Sequence, residues 1–142
     1  MKAFPSLIAI ALSLAVAAPV AAKPEDAIGR WATATRHGVV EITACGSSIC
    51  GRLVDSENLR TNPDMRDFRN KAADQRNRPI KGLLMLSGFT RSANGWDGGS
   101  VYNPEDGGTY SGTITIGDAD TLKLKGCIVW PLCKSQVWKR IR

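Results

Sequence analysis

The sequence predicts an all-β protein: an eight-stranded antiparallel up-and-down barrel with one short helix in a long loop. Three observations carry that expectation. Strand-forming stretches with period-two alternation recur between Ile28 and Ile141. Turn residues punctuate them at regular intervals, among them Asn94-Gly95, Asn103-Pro104, Asp106-Gly107-Gly108 and Gly117-Asp118. The chain's 4 cysteines fall into two close pairs, Cys45 with Cys50 and Cys127 with Cys133, each at the neck of an expected hairpin.

The chain opens with Lys2, the apolar run LIAIALSLAVAA and the small residues Val20-Ala21-Ala22. This pattern reads as a secretory signal peptide over residues 1–22, cut after Ala22, with residues 23–142 forming a single domain. The apolar run is too short to cross a bilayer, so no membrane span is expected. No cysteine follows it at a lipidation position, because the first is Cys45. The expectation is therefore a soluble exported protein, periplasmic or secreted. Processing removes Lys2 from 19 basic residues and leaves 13 acidic ones untouched, so the remaining chain keeps a formal charge of +5. Such a domain is drawn to anionic envelope surfaces, although no run of like charges marks a dedicated site. In an oxidising compartment 4 cysteines point to two disulfides; three connectivities exist, and geometry favours the one in which both bridges are local.

The first strand starts at Ile28-Gly29-Arg30-Trp31 and turns at Arg36-His37-Gly38 into a hairpin, Gly38 to Asp55. If Cys45 faces Cys50, then Ala44 lies opposite Gly51, Ile42 opposite Leu53 and Thr43 opposite Arg52, giving one apolar and one polar face. From Ser56 to Pro79 the chain is polar and poor in strand formers. Asn62-Pro63, followed by Asp64 and Asp67, predicts a short helix from about Pro63 to Ala73, and a loop this long is expected over the barrel mouth. Five further strands follow: Gly82–Phe89, Gly95–Tyr102, Thr109–Ile116, Thr121–Cys127 and Lys134–Ile141. The last puts Gln136, Trp138 and Arg140 on one face, which offers Arg140 to Trp31 as a guanidinium-on-indole closure of the barrel.

The combination CGSSICGRLV, Asp67-x-x-Asn70, Arg76-x-Arg78-Pro79-x-x-Gly82, Trp96-x-x-Gly99-x-x-Tyr102-x-Pro104, Gly107-x-x-Tyr110 and Trp138-x-Arg140 resembles the uncharacterised bacterial secreted family numbered 2147 among domains of unknown function. The resemblance spans essentially the whole chain after residue 22. It implies a lipocalin-like barrel exported to the periplasm, and it brings no established activity or catalytic residue. The second cysteine pair is not assumed to be a family trait.

Several chemistries are excluded on the residues themselves. His37 is the sole histidine, it sits in a turn, and no serine lies in an elbow motif, so no catalytic triad is expected. The acids Asp67, Asp97, Glu105 and Asp106 offer no clear hydrolytic pair. Cysteine spacing does not suit zinc, and no nucleotide or calcium fingerprint occurs, so neither a metal nor a cofactor is expected. Nucleic acid is not an expected partner, because basic residues are not interleaved with aromatics. Asp67, Asn70, Arg76 and Arg78 form the best polar cluster, either locking the long loop or meeting the anionic end of a ligand. Phe89, Trp96, Tyr102 and Tyr110 are candidate cavity walls, or core. The expectation is a non-enzymatic binder of a small apolar or amphipathic ligand in or at the barrel mouth. Its alternative is an envelope interaction module with a packed barrel.

Overall fold

A computed structural model describes residues 11–142. Of the expected leader, residues 1–10 lie outside the described residues, while residues 11–21 are exposed and carry no regular secondary structure. The strands are β1 (Gly29–Ala32), β2 (Val39–Cys45), β3 (Ser48–Asp55), β4 (Leu84–Ser87), β5 (Thr90–Arg91), β6 (Gly95–Asn103), β7 (Gly108–Asp118), β8 (Thr121–Cys127) and β9 (Cys133–Ile141). Their order is β4-β3-β2-β1-β9-β8-β7-β6-β5, and a further β4–β6 pairing closes eight of them into an antiparallel barrel. The two-residue β5, absent from the sequence expectation, pairs only with β6 and lies outside the ring.

The β2–β3 hairpin forms as expected, but its register is displaced by two residues. Thr43 faces Cys50 and Cys45 faces Ser48, so Ile42 lies opposite Gly51 and Val40 opposite Leu53. The physical reason is the turn. Gly46, at φ +63°, occupies the first position of a two-residue loop, a conformation glycine adopts without strain, and this tight turn fixes the pairing. The Cys45–Cys50 disulfide then joins residues that are not directly opposed, with Cα atoms 5.5 Å apart. A two-residue displacement preserves faces, so Val40, Ile42, Ile49 and Leu53 still point inward and Glu41 and Arg52 outward. Cys127 and Cys133 are directly opposed and bonded, with Cα atoms 4.0 Å apart.

The barrel axis is filled. Trp31, Val40, Ile42, Ile49, Leu86, Ile114, Leu122 and Trp138 are all essentially inaccessible. Phe89 lies over the paired glycines Gly99 and Gly112: a β-carbon on Gly99 would run into its ring, and one on Gly112 would strike the Val101 side chain beside it. One end of the barrel is sealed by a 3-10 turn, Pro24–Ala27. The Trp31 indole N–H donates to the Ala27 carbonyl (2.8 Å) and that of Trp96 to the Pro24 carbonyl (2.9 Å). Arg140 lies over Trp31, 4.3 Å from the ring centroid, and donates to the carbonyls of Ala119 (2.6 Å), Ile28 (2.9 Å) and Asp26. This explains the glycine of the Gly29-x-Trp31 triplet: its φ is +136°, and a β-carbon there would stand 2.5 Å from the Arg140 guanidinium.

At the other end the helix expected at Pro63–Ala73 is not formed. The helix is α1 (Glu57–Thr61), capped by the Ser56 hydroxyl, which accepts from the Leu59 N–H. Ser56 with Glu57 in the first turn and a buried Leu59 is the stronger start signal. Asn62, which with Pro63 marks the start of the expected helix, ends this one instead. The next residues fold back on themselves: the Asp67 N–H donates to Arg78 and the Ile80 N–H to Met65 (both 3.0 Å), flanking an Arg66–Pro79 bridge. α1 stands at the mouth, its Glu57 N–H donating to the Arg36 carbonyl (2.9 Å). Arg36 in turn reaches Glu105 across the opening (3.4 Å).

Candidate functional site

β6 positions the site, and its phase decides which side chains look inward. Val101 faces Leu86 and Tyr110 on the inner wall, and Gly112 and Ile114 continue that face along β7. Tyr102 therefore belongs to the outer face, together with its register partner Thr109. It is nevertheless buried, because residues 67–78 of the long loop cover it.

Asp67 is the hub of that cover, its side chain wholly inaccessible. It accepts from the Tyr102 hydroxyl at both oxygens (2.7 and 2.8 Å), from Asn70 Nδ2 (2.9 Å) and from Arg78 Nε (2.8 Å). The Arg78 guanidinium also lies 4.8 Å from the Tyr102 ring centroid and donates to Gln75 (3.1 Å). Arg76 donates to the Asn70 carbonyl (2.8 Å), and the Asn70 side chain accepts from the Ala72 N–H (2.9 Å). Among the described residues no buried side-chain nitrogen or oxygen lacks a partner. The four polar residues singled out in the sequence thus come together as one connected network, satisfied within itself. Arg69 fastens the same loop to the β6–β7 turn by donating to the Glu105 carbonyl (2.7 Å). Gly107, at φ +69°, lets the turn pass so close that a β-carbon would strike the Arg69 carbonyl oxygen.

Beside this network lies an open cleft of about 570 Å³, lined by Asn70, Lys71, Ala72, Gln75, Arg78, Leu84, Tyr102, Gly107 and Thr109. Three of the candidate residues, Asn70, Arg78 and Tyr102, contribute to it. Lys71, Gln75, Leu84 and Thr109 were missed, and only Gln75, three residues before Arg78 within a turn, carried a readable signal. A second depression of about 320 Å³ lies at the sealed end, around Glu25, Asp26 and Arg140. Neither is lined by the axis residues Trp31, Ile42, Leu86 or Ile114. The aromatic candidates are dispersed. Phe89 packs the interior, Trp96 holds the N-terminal turn, Tyr102 lies outside, and Tyr110 sits on the inner wall at the mouth, donating to Asp106 (2.5 Å). They do not form one cavity wall. Among the described residues no group of three or more His, Cys, Asp or Glu side chains is placed to hold a metal ion. His37 is exposed and 3.8 Å from Glu57.

The chain's 2 tyrosines are both at this end, each bonded to a carboxylate. Burial, followed by the bond to Asp67, raises the Tyr102 pKa, and the bond to Asp106 does the same for Tyr110. Burial works upward on Asp106 as well, but bonds from Tyr110, Gly108 and Asn103 outweigh it and hold that carboxyl below its usual range. A phenol whose pKa is raised by folding adds stability that is fully present below its unfolded value of about 10. The contribution is lost as pH rises through the folded value. Tyrosinate absorbance of the native protein is thus expected to lag the denatured chain through pH about 10, with neither tyrosine ionising at the normal position. A normal step for either would contradict its bond.

Comparison with known proteins adds the lineage. A family model described as "Uncharacterized protein conserved in bacteria (DUF2147)" matches residues 29–140. None of the curated proteins matches. Among solved structures the chain is similar to a Helicobacter pylori protein described as belonging to the lipocalin family. That likeness has a TM-score of 0.72 at 22% identity, covering 81% of this chain and 82% of the other. It extends to the fold, a lipocalin-like barrel. Among the described residues no helix is long and apolar enough to cross a membrane. With the matched segment running from Gly29 at the start of β1 to Arg140 near the end of β9, the chain belongs to the DUF2147 family of uncharacterised bacterial proteins.

Proposed function

We propose that this is an exported, periplasmic binding protein that holds a small amphipathic or anionic ligand and catalyses nothing on it. The carrying observation is the cleft on the outer wall at the mouth end, whose volume suits a small molecule. Its walls offer apolar Leu84 and the Tyr102 ring beside the cations Lys71 and Arg78. The ligand then lies against the barrel, with the loop's 70–78 segment as the other wall. Two disulfides support an oxidising compartment, and removal of residues 1–22 on export accords with their exposure from 11 to 21. A non-enzymatic role is supported by the self-satisfied Asp67 network and by the exposed position of His37, away from the cleft.

The test is native mass spectrometry of protein taken from the periplasm of the source cell. A bound species is expected in the parent, absent from Ala72→Trp, which fills the cleft, and reduced in Lys71→Glu. An empty parent, or equal retention by Ala72→Trp, would reject the cleft as the site. A second reading is favoured by the filled axis: an envelope scaffold that works through its surface. Partners captured in a pull-down that survive Ala72→Trp but not Arg66→Ala with Arg69→Ala would support that version.

A further inference from the structure

The β8–β9 hairpin ends in Ile128-Val129-Trp130-Pro131-Leu132, five consecutive apolar residues. Ile128, Val129, Trp130 and Leu132 are 70%, 62%, 78% and 63% exposed. A run of this kind on a surface is a liability unless something covers it. The neck is tied by Cys127–Cys133, so the tip holds its shape before it meets anything. Its backbone is partly satisfied from within: Ile128 N–H donates to Leu132 (3.1 Å), Leu132 N–H to Val129 (2.7 Å) and Cys133 N–H to Pro131 (2.9 Å). That lowers the cost of moving these amides out of water.

Directly behind the tip the hairpin is basic. Lys123 and Lys125 on β8, and Lys134 on β9, are partly or fully exposed, and the Lys125 ammonium lies 5.5 Å from the Trp130 ring centroid. From Thr121 to Arg142 the sequence contains no Asp or Glu. An apolar, tryptophan-bearing tip inside a collar of one sign matches a plane of anionic headgroups over acyl chains. Lysine stems can lie along the apolar layer while their ammonium groups remain at the phosphates.

We propose that the disulfide-tied tip Ile128–Leu132 is an interfacial anchor that seats the barrel on an anionic lipid bilayer, with Lys123, Lys125 and Lys134 contacting the headgroups. The anchor is separate from the outer cleft and does not depend on its occupancy. Trp130 is also the one exposed tryptophan of the chain's 4, since Trp31, Trp96 and Trp138 are buried, so its emission reports on the contact itself.

The protein as recovered from an expressing bacterium is titrated with vesicles of phosphatidylglycerol and phosphatidylethanolamine, and with phosphatidylcholine vesicles as the neutral control. On the mixed vesicles Trp130 emission is expected to shift to the blue and to be quenched by lipids brominated high on the acyl chain. Neutral vesicles, or high salt, abolish the effect. Replacing Trp130 and Leu132 by serine is expected to weaken partitioning at least tenfold. Replacing Lys123, Lys125 and Lys134 by glutamine should weaken it about fivefold per lysine. Both changes are on exposed or partly exposed side chains, and an unchanged circular dichroism spectrum confirms folding. Emission unaltered by saturating anionic vesicles would overturn the proposal, as would equal partitioning of either variant; capture of a protein partner by the tip without vesicle binding would have the same meaning.

Discussion

Asp67→Ala is expected to destabilise the protein by about 3–5 kcal/mol, the cost of removing one partner from a buried ion pair. The loss falls on three donors at once, since Tyr102, Asn70 and Arg78 all converge on this carboxylate. Tyr102→Phe removes a single donor and leaves the carboxylate two others, so about 1–2 kcal/mol is expected. Urea unfolding of both variants measures the difference. Because Asp67 fastens a segment rich in arginine and lysine, the alanine variant should also be cut by trypsin between Arg66 and Arg78 under conditions in which the parent resists. Equal stability of Asp67→Ala and the parent would mean that the network is an ornament of the loop.

Arg140→Ala comes second, at on the order of 3 kcal/mol, from charge-assisted bonds to main-chain carbonyls and the lost stack on Trp31. The Arg140 side chain is only 17% exposed, so water does not replace what is removed. Arg140→Lys should restore less than half, because an ammonium cannot lie flat on the indole while meeting Asp26, Ile28 and Ala119 together. Thermal unfolding followed by tryptophan emission reads this directly, since Trp31 and Trp96 hold the same end. Full rescue by lysine would reduce Arg140 to a point charge.

The barrel was legible because turn chemistry and alternation agree along the chain. Asn94-Gly95, Gly117-Asp118 and the cysteine pairs each mark a reversal, and eight strands between such marks close in one way. The meeting of Trp31 with Arg140 was legible because both ends present them on a shared face. The hairpin register was not, because a disulfide tolerates two registers and Gly46 decided between them. Nor was the cavity. Trp96 and Tyr102 have the same parity, which reads as one face, but the bulge between Trp96 and Gly99, with Gly98 at φ +64°, inverts the phase. Tyr102 is thereby delivered to the outside, where the loop needs it. The loop network was readable as a set of residues, and its direction was not, because a polar segment with no period gives no face.

Pairing of β1 with β9 makes the first and last strands neighbours. A polypeptide emerging in order therefore carries an unmatched edge on β1 until Lys139, Arg140 and Ile141 arrive, so the cylinder closes only after β9 has been delivered. An assembly intermediate lacking only β9 would expose two open ladders, on β1 and β8, at once. Such a species invites capture by a chaperone or digestion by a protease, and the seal of Arg140 on Trp31 forms only once β9 has paired with β1.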